Sequence, residues 1–184
     1  MTHFAIRQQT GDRTVDEVAR LAATARDDGG ELLSAYWTPQ QRQLLSIFHG
    51  DSATVGPSAV PETFPVLPIT AEEYGPRAME PAAGEGDGLR LVLVRRKLDP
   101  MTQREFRAVA LQAIMCAYEY TDMRWLRSFW ATEQNELHCL FRTRTHDLVR
   151  EHAQRSRIPC DEIYDAIEVT PGQVFVTDVI SQDA

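Results

Sequence analysis

Alternating apolar and polar positions are clearest at Met123–Trp130, where Met123, Trp125, Arg127 and Phe129 interleave with Arg124, Leu126, Ser128 and Trp130. A period of two predicts a strand. After the polar run ATEQN, Glu136–Phe141 is again rich in strand formers, so the two runs read as an antiparallel hairpin. The pattern has an upstream counterpart in ELLSAYW, a turn on Thr38-Pro39, and QLLSIFHG. Aligned without a gap, Ser34–Phe48 and Arg127–Phe141 lie 93 positions apart and share Trp37/Trp130, Gln41/Gln134, Leu44/Leu137 and Phe48/Phe141.

A helix is predicted before each hairpin, and each opens with the same chemistry. TVDE at Thr14–Glu17 and TQRE at Thr102–Glu105 fit the capping box, in which the Thr hydroxyl accepts from an early helical N–H and the Glu reaches back. In the second copy Phe106, Val109, Ala110, Ala113, Ile114 and Ala117 recur at helical spacing. The caps are 88 apart rather than 93, so the second helical region is five residues longer. Strand candidates FAIRQQ and LRLVLVRR precede the boxes. The second copy continues with THDLVREHAQRSR, a helix capped at Thr145 and stopped by Pro159, and then the strand DEIYDAIEV. Its order, βαββαβ, is that of the ferredoxin-like split βαβ unit. In the first copy DSATVGPSAVPE stands in place of the second helix, and TFPVLPI returns as a broken strand.

The expected fold is therefore α+β: tandem ferredoxin-like repeats forming a pseudo-dimeric α+β barrel or two face-to-face sheets. A unit of about 80 residues has a limited core, and a sheet with helices on one face must cover the other. The expected divisions are a degenerate repeat at 1–73, a linker at 74–88, a complete repeat at 89–170, and a C-terminal strand or tail at 171–184 that pairs across the repeat or with a partner subunit. A homodimer is compatible with this arrangement and not required by it.

Charge narrows the partners. The net charge of −8 divides into −7 over residues 1–88, with 6 basic and 13 acidic side chains, and −1 over 89–184, with 13 and 14. Neither half offers the basic face that nucleic acid requires, so no nucleic-acid partner is expected. The run Arg95-Arg96-Lys97 reads as a solvated face. Without a signal-like start or 18 consecutive apolar residues, a soluble cytoplasmic location with no membrane partner is expected. Cys116, Cys139 and Cys160 lack a C-x-x-C pairing and read as reduced, partly buried thiols.

The stretch from MRWLRSFW through LHCLFRTRTHDLVREHAQRSRIPCDEIYDAIEV resembles a bacterial family of small ferredoxin-like proteins often labelled nickel-binding. The matching elements are Trp125, Arg127 and Ser128 on one strand, Cys139 and Phe141 on the next, and the Ile158-Pro159 turn; together they cover residues 89–170. The resemblance implies a nickel function carried by first-strand histidines, but here those positions read VRRKL and IRQQT. Arginine and lysine stay protonated and ligate poorly, so neither a metal nor another cofactor is expected. Were nickel held, His49, His138 or Cys139 would have to replace the missing ligands.

The expected ligand site is a pocket of the second repeat, with Trp125, Phe129 and Tyr118 as apolar walls, Arg127 and His138 as polar anchors, and Arg95 reaching in from the first strand. Alternation places Arg127 with Trp125 and Phe129, where a guanidinium must be paired or stacked; an ion pair at a sheet edge is the structural alternative. His138 and Cys139 are adjacent and face opposite ways in a strand, with Cys139 in the core beside Leu137 and Phe141. Trp37, Trp130 and Tyr36 read as packing residues and His49 as solvated. His146 and His152 lack the i, i+4 spacing at which two helical imidazoles converge. No phosphate loop or nucleophile–base pair is legible. The reading is a small-molecule binding protein. The alternatives are a cofactor-independent enzyme of the dimeric α+β barrel type, with His138 as base and Arg127 stabilising negative charge, and a nickel-binding protein.

Overall fold

A computed structural model describes residues 2–24, 31–50, 62–70 and 88–169. They divide into two compact units, one running up to Val66 and resuming at Ala166, the other spanning Leu67–Asp165. Each unit is a fully antiparallel sheet with helices, so the chain is α+β.

In the first unit, β1 (Thr2–Gln9), α1 (Val15–Thr24), β2 (Glu31–Thr38), β3 (Gln43–Gly50), the first half of β4 (Glu62–Thr70) and β9 (Ile167–Val169) give the sheet order β4-β1-β3-β2-β9. The capping box before α1 forms: the Thr14 N–H donates to Glu17 Oε2 at 2.7 Å and the Glu17 N–H to Thr14 Oγ1 at 3.4 Å. The apolar stripe Val18, Ala19 and Ala22 then packs on Ala35, Trp37, Leu44 and Val169.

In the second unit, β5 (Arg90–Lys97), α2 (Gln103–Ala117), β6 (Met123–Ala131), β7 (Glu136–Thr143), α3 (His146–Ser156), β8 (Glu162–Asp165) and the second half of β4 give the order β8-β5-β7-β6-β4. Thr102 and Glu105 form the second capping box, with N–H donations of 2.7 and 3.3 Å, and these bonds hold the Glu105 carboxyl below its usual range. Helix α3 is capped by Thr145, whose Oγ1 accepts from the Leu148 N–H at 3.4 Å.

The two hairpins share irregular features as well as regular ones. Each has a bulge, at Leu33 in the first and Leu126 in the second, and each turn has a left-handed residue, Arg42 (φ 50°) and Asn135 (φ 51°). In both cases the position differs by 93. The carbonyls of Arg42 and Asn135 accept from the N–H groups of Thr10 and Leu98 at 2.6 and 2.8 Å. Trp37 faces Leu44 across its hairpin just as Trp130 faces Leu137.

Two strands differ from their sequence reading. DEIYDAIEV is not one strand: it breaks at Ala166, with β8 pairing with β5 and β9 pairing with β2. TFPVLPI, expected to be broken, is part of the continuous strand β4. Its residues Glu62–Val66 pair with β1 and Leu67–Thr70 with β6. Each half thus has one recorded neighbour, which is where Pro65 and Pro68 can lack an N–H without breaking a ladder. The expected irregular segment at 51–61, the linker apart from Gly88, and the tail at 171–184 lie outside the described residues. No helix among the described residues is long and apolar enough to cross a membrane.

Candidate functional site

The sheet of the second unit presents Val92, Val94, Trp125, Leu137, Cys139 and Phe141 to its helices, which answer with Phe106, Ala110, Ile114, Ala117 and Val149. Phe106 stacks on Trp130 with ring centroids 4.0 Å apart. The inward face of α2 also carries Ala110, Ala113 and Ala117, all buried, and these short side chains do not fill the space above the sheet. A cavity remains between sheet and helices, lined by Phe106, Ala113, Trp125, Cys139, Phe141 and His152 among others. Its empty space is about 340 Å³ including its mouth, and the centre of a water molecule can range over about 30 Å³ of it. As it stands it admits one or two waters, so a larger ligand requires α2 and α3 to give.

His152 is the titratable group that α3 brings to this wall. It sits on α3 at 1% exposure, and its Nε2 lies 2.8 Å from the Ala113 carbonyl, which can only accept, so Nε2 carries the proton. The Nδ1 lone pair has no hydrogen-bond partner among the described residues. Burial, reinforced by the positive charges of Arg96 and Arg155 and opposed by the Ala113 bond, lowers its pKa, so His152 is neutral at pH 7. Close by, the Trp125 indole N–H donates to Ser128 Oγ at 2.9 Å, and both residues line the cavity.

Of the six residues expected to form the site, two lie on this side of the sheet: Trp125 lines the cavity and Tyr118 packs against the same cluster. The bulge at Leu126 sends the other residues of β6 the opposite way from simple alternation. Trp125 shares its face with Ser128 and Trp130, while Arg127, which is exposed, falls with Phe129 on the other face. Phe129 and Arg95 each pair with His138 there. On that face Arg95 bridges Glu136 at 3.0 Å and Glu162 at 3.1 Å, and His138 Nε2 stands 3.7 Å from Glu136. Burial chiefly, and a hydrogen bond with Glu162 secondarily, push the Tyr164 phenol up to about 12.

The basic run also differs from its reading as a solvated face, because Arg96 is 0% exposed. Its neighbours at Val92 and Val94 belong to the helix-side core, and strand alternation turns Arg96 the same way. The residues named as replacement nickel ligands do not converge. His138 and Cys139 are successive residues of one strand, and His49 belongs to the first unit, where its ring lies 5.0 Å from that of His3. No group of three or more His, Cys, Asp or Glu able to hold a metal occurs among the described residues, so this donor set does not fit a nickel centre.

Comparison with known proteins bears on the half of the chain that holds the cavity. Residues 93–165 match the family described as nickel responsive protein SCO4226-like. No curated protein matches the chain. Among solved structures, an anthrone oxidase-like protein aligns with a TM-score of 0.53 at 10% identity, covering 95% of each chain. A candidate monooxygenase from Lactobacillus acidophilus NCFM aligns with a TM-score of 0.50 at 11% identity, covering 92% of this chain and 95% of that one. At such identities the likeness is one of fold.

Proposed function

We propose that the protein binds a small, largely apolar molecule in the cavity beneath α2 and α3 of the second unit. The observation that carries this reading is an apolar cavity whose wall includes a buried, neutral histidine with an unpartnered acceptor. A core residue with no further role would ordinarily have both ring nitrogens satisfied, since buried polar groups are costly to leave unpaired. A ligand hydroxyl, phenol or amide N–H would supply the missing donor. The test is Ala113→Phe, which fills the cavity from α2. Titration with phenol as probe should show saturable binding to the parent and at least tenfold weaker binding to this variant. Equal binding to both would place the ligand elsewhere.

The architecture that supports the reading is a pair of ferredoxin-like units in one chain. Both units run fourth-first-third-second in their own strand numbering, and both repeat the same bulge and turn geometry. A second reading is a cofactor-independent enzyme. What favours it is again His152: a neutral imidazole with a free lone pair, held away from water, can serve as a general base. The two solved structures described as a candidate monooxygenase and an anthrone oxidase-like protein share the fold. Oxygen consumption with an anthrone as substrate, present in the parent and lost in Ala113→Phe, would establish turnover in the cavity; no consumption leaves the binder.

A further inference from the structure

Arg96 is a fully buried guanidinium that adjoins the cavity lining without being part of it. Its Nη1 donates to the Pro159 carbonyl, and its Nε and Nη2 have no hydrogen-bond partner among the described residues. Those two nitrogens form the side-on fork of the guanidinium, the edge whose parallel N–H bonds match the two oxygens of a carboxylate. The bond to Pro159 fixes the plane of the group, so the fork is held ready.

Among the described residues, the groups around Arg96 offer its Nε/Nη2 edge no acceptor. Across the sheet it faces Leu137, which lines the cavity, and Pro159 follows Ile158, which lines it too. His152 is neutral. The Cys160 thiol is pushed up chiefly by burial, against the pull of Arg96 and Arg150, and so stays protonated at pH 7. The carboxylate of Asp161 accepts from the Lys97 N–H at 2.7 Å. A buried guanidinium with an unfilled hydrogen-bonding edge is expensive to keep.

We infer that the ligand of the cavity is an organic anion, an apolar body carrying a carboxylate or similar two-oxygen group that docks on the Nε/Nη2 fork of Arg96. The inference rests on the binding reading above and assigns the chemical class of its ligand. Isothermal titration with benzoate and with benzamide, its uncharged analogue of the same shape, tests it on the parent protein, Arg96→Met and Arg96→Lys. Benzoate should bind the parent at least tenfold more tightly than benzamide. The preference should vanish in Arg96→Met and survive in reduced form in Arg96→Lys, which keeps the charge but not the fork. Unliganded Arg96→Met should melt no lower than the parent, because it removes a buried charge rather than a paired one.

Equal affinities of the parent for the two probes, or a preference that persists in Arg96→Met, would overturn the anion assignment and leave the apolar cavity standing. A melting temperature of Arg96→Met well below the parent would make Arg96 a brace for the Pro159 turn and likewise overturn it. If acetate binds through Arg96 as tightly as benzoate, the anion site stands and the apolar-cavity reading falls. If neither aromatic probe binds the parent, both fall.

Discussion

Acidification should weaken the fold through His152, and the size of the effect follows from its surroundings. The imidazole is 1% exposed, donates from Nε2 to Ala113, and has its pKa lowered mainly by burial and secondarily by Arg96. In the unfolded chain the same group titrates near 6.5. A lowered folded pKa means that between the two values the unfolded state binds more protons. The neutral imidazole therefore leaves stability intact above pH 6.5, and stability falls as pH drops from there toward the folded pKa. The slope is at most about 1.4 kcal/mol per pH unit, and it applies only between the folded and unfolded pKa values. His152→Gln can still donate an amide N–H to Ala113 but does not titrate. Losing some of the packing, it should be on the order of 1–2 kcal/mol less stable than the parent at pH 8. Urea unfolding from pH 8 to pH 5 should show that deficit shrinking as the pH falls below 6.5. The pKa of His3 is also lowered, by burial and by His49, but it is common to both proteins and cancels. Parallel curves over the whole range would refute the reasoning, since they would show that His152 is either charged in the fold or open to water.

Phe106→Ala removes a 1%-exposed ring that stacks on Trp130 and should cost about 3–5 kcal/mol, read from the denaturation midpoint. Thr102→Ala and Glu105→Ala each remove part of one reciprocal cap and should cost about 1 kcal/mol apiece, with the double variant costing clearly less than their sum; additive losses would show that the box does not act as a unit. Equilibrium dialysis against nickel should leave no stoichiometric metal on the untagged protein, and retention unaffected by His3→Ala and His49→Ala would require ligands outside the described residues.

The hairpins, the capping boxes and the helix α3 are legible in sequence because each is written in a few neighbouring residues: Thr14 with Glu17, Thr102 with Glu105, the alternation on either side of Pro39 and Asn135. The bulge at Leu126 has no such local mark. A leucine is an ordinary strand residue, and what makes it a bulge is the register its neighbours take against β7. That one extra residue separates Trp125 from Arg127 and with them the two halves of the expected site. His152 was within reach: Val149, His152, Ala153 and Ser156 form the buried stripe of α3 at helical spacing, and the six-residue gap to His146 concerns metal ligation only. Arg96 was too, since strict alternation from Val92 through Val94 turns it inward, against the general rule that a basic run is solvated. The cavity itself depends on how the alanines of α2 meet the sheet, which no stretch of sequence states.

The break at Ala166 has a consequence for the order in which the protein can be completed. Strand β9 is the last of the described strands to be made, yet its partner β2 lies within the first forty residues, and by pairing Ala35, Tyr36 and Trp37 with Val169, Glu168 and Ile167 it covers the margin of β2 that no other described strand pairs. During synthesis that margin waits, hydrogen-bonding groups outward, until the second unit has emerged. A fragment stopped before Ile167 keeps every other strand of the first unit and presents β2 permanently as a template for a neighbouring chain. Such fragments should associate with one another more readily than the full chain does, and β9 would then be understood less as reinforcement than as a cover.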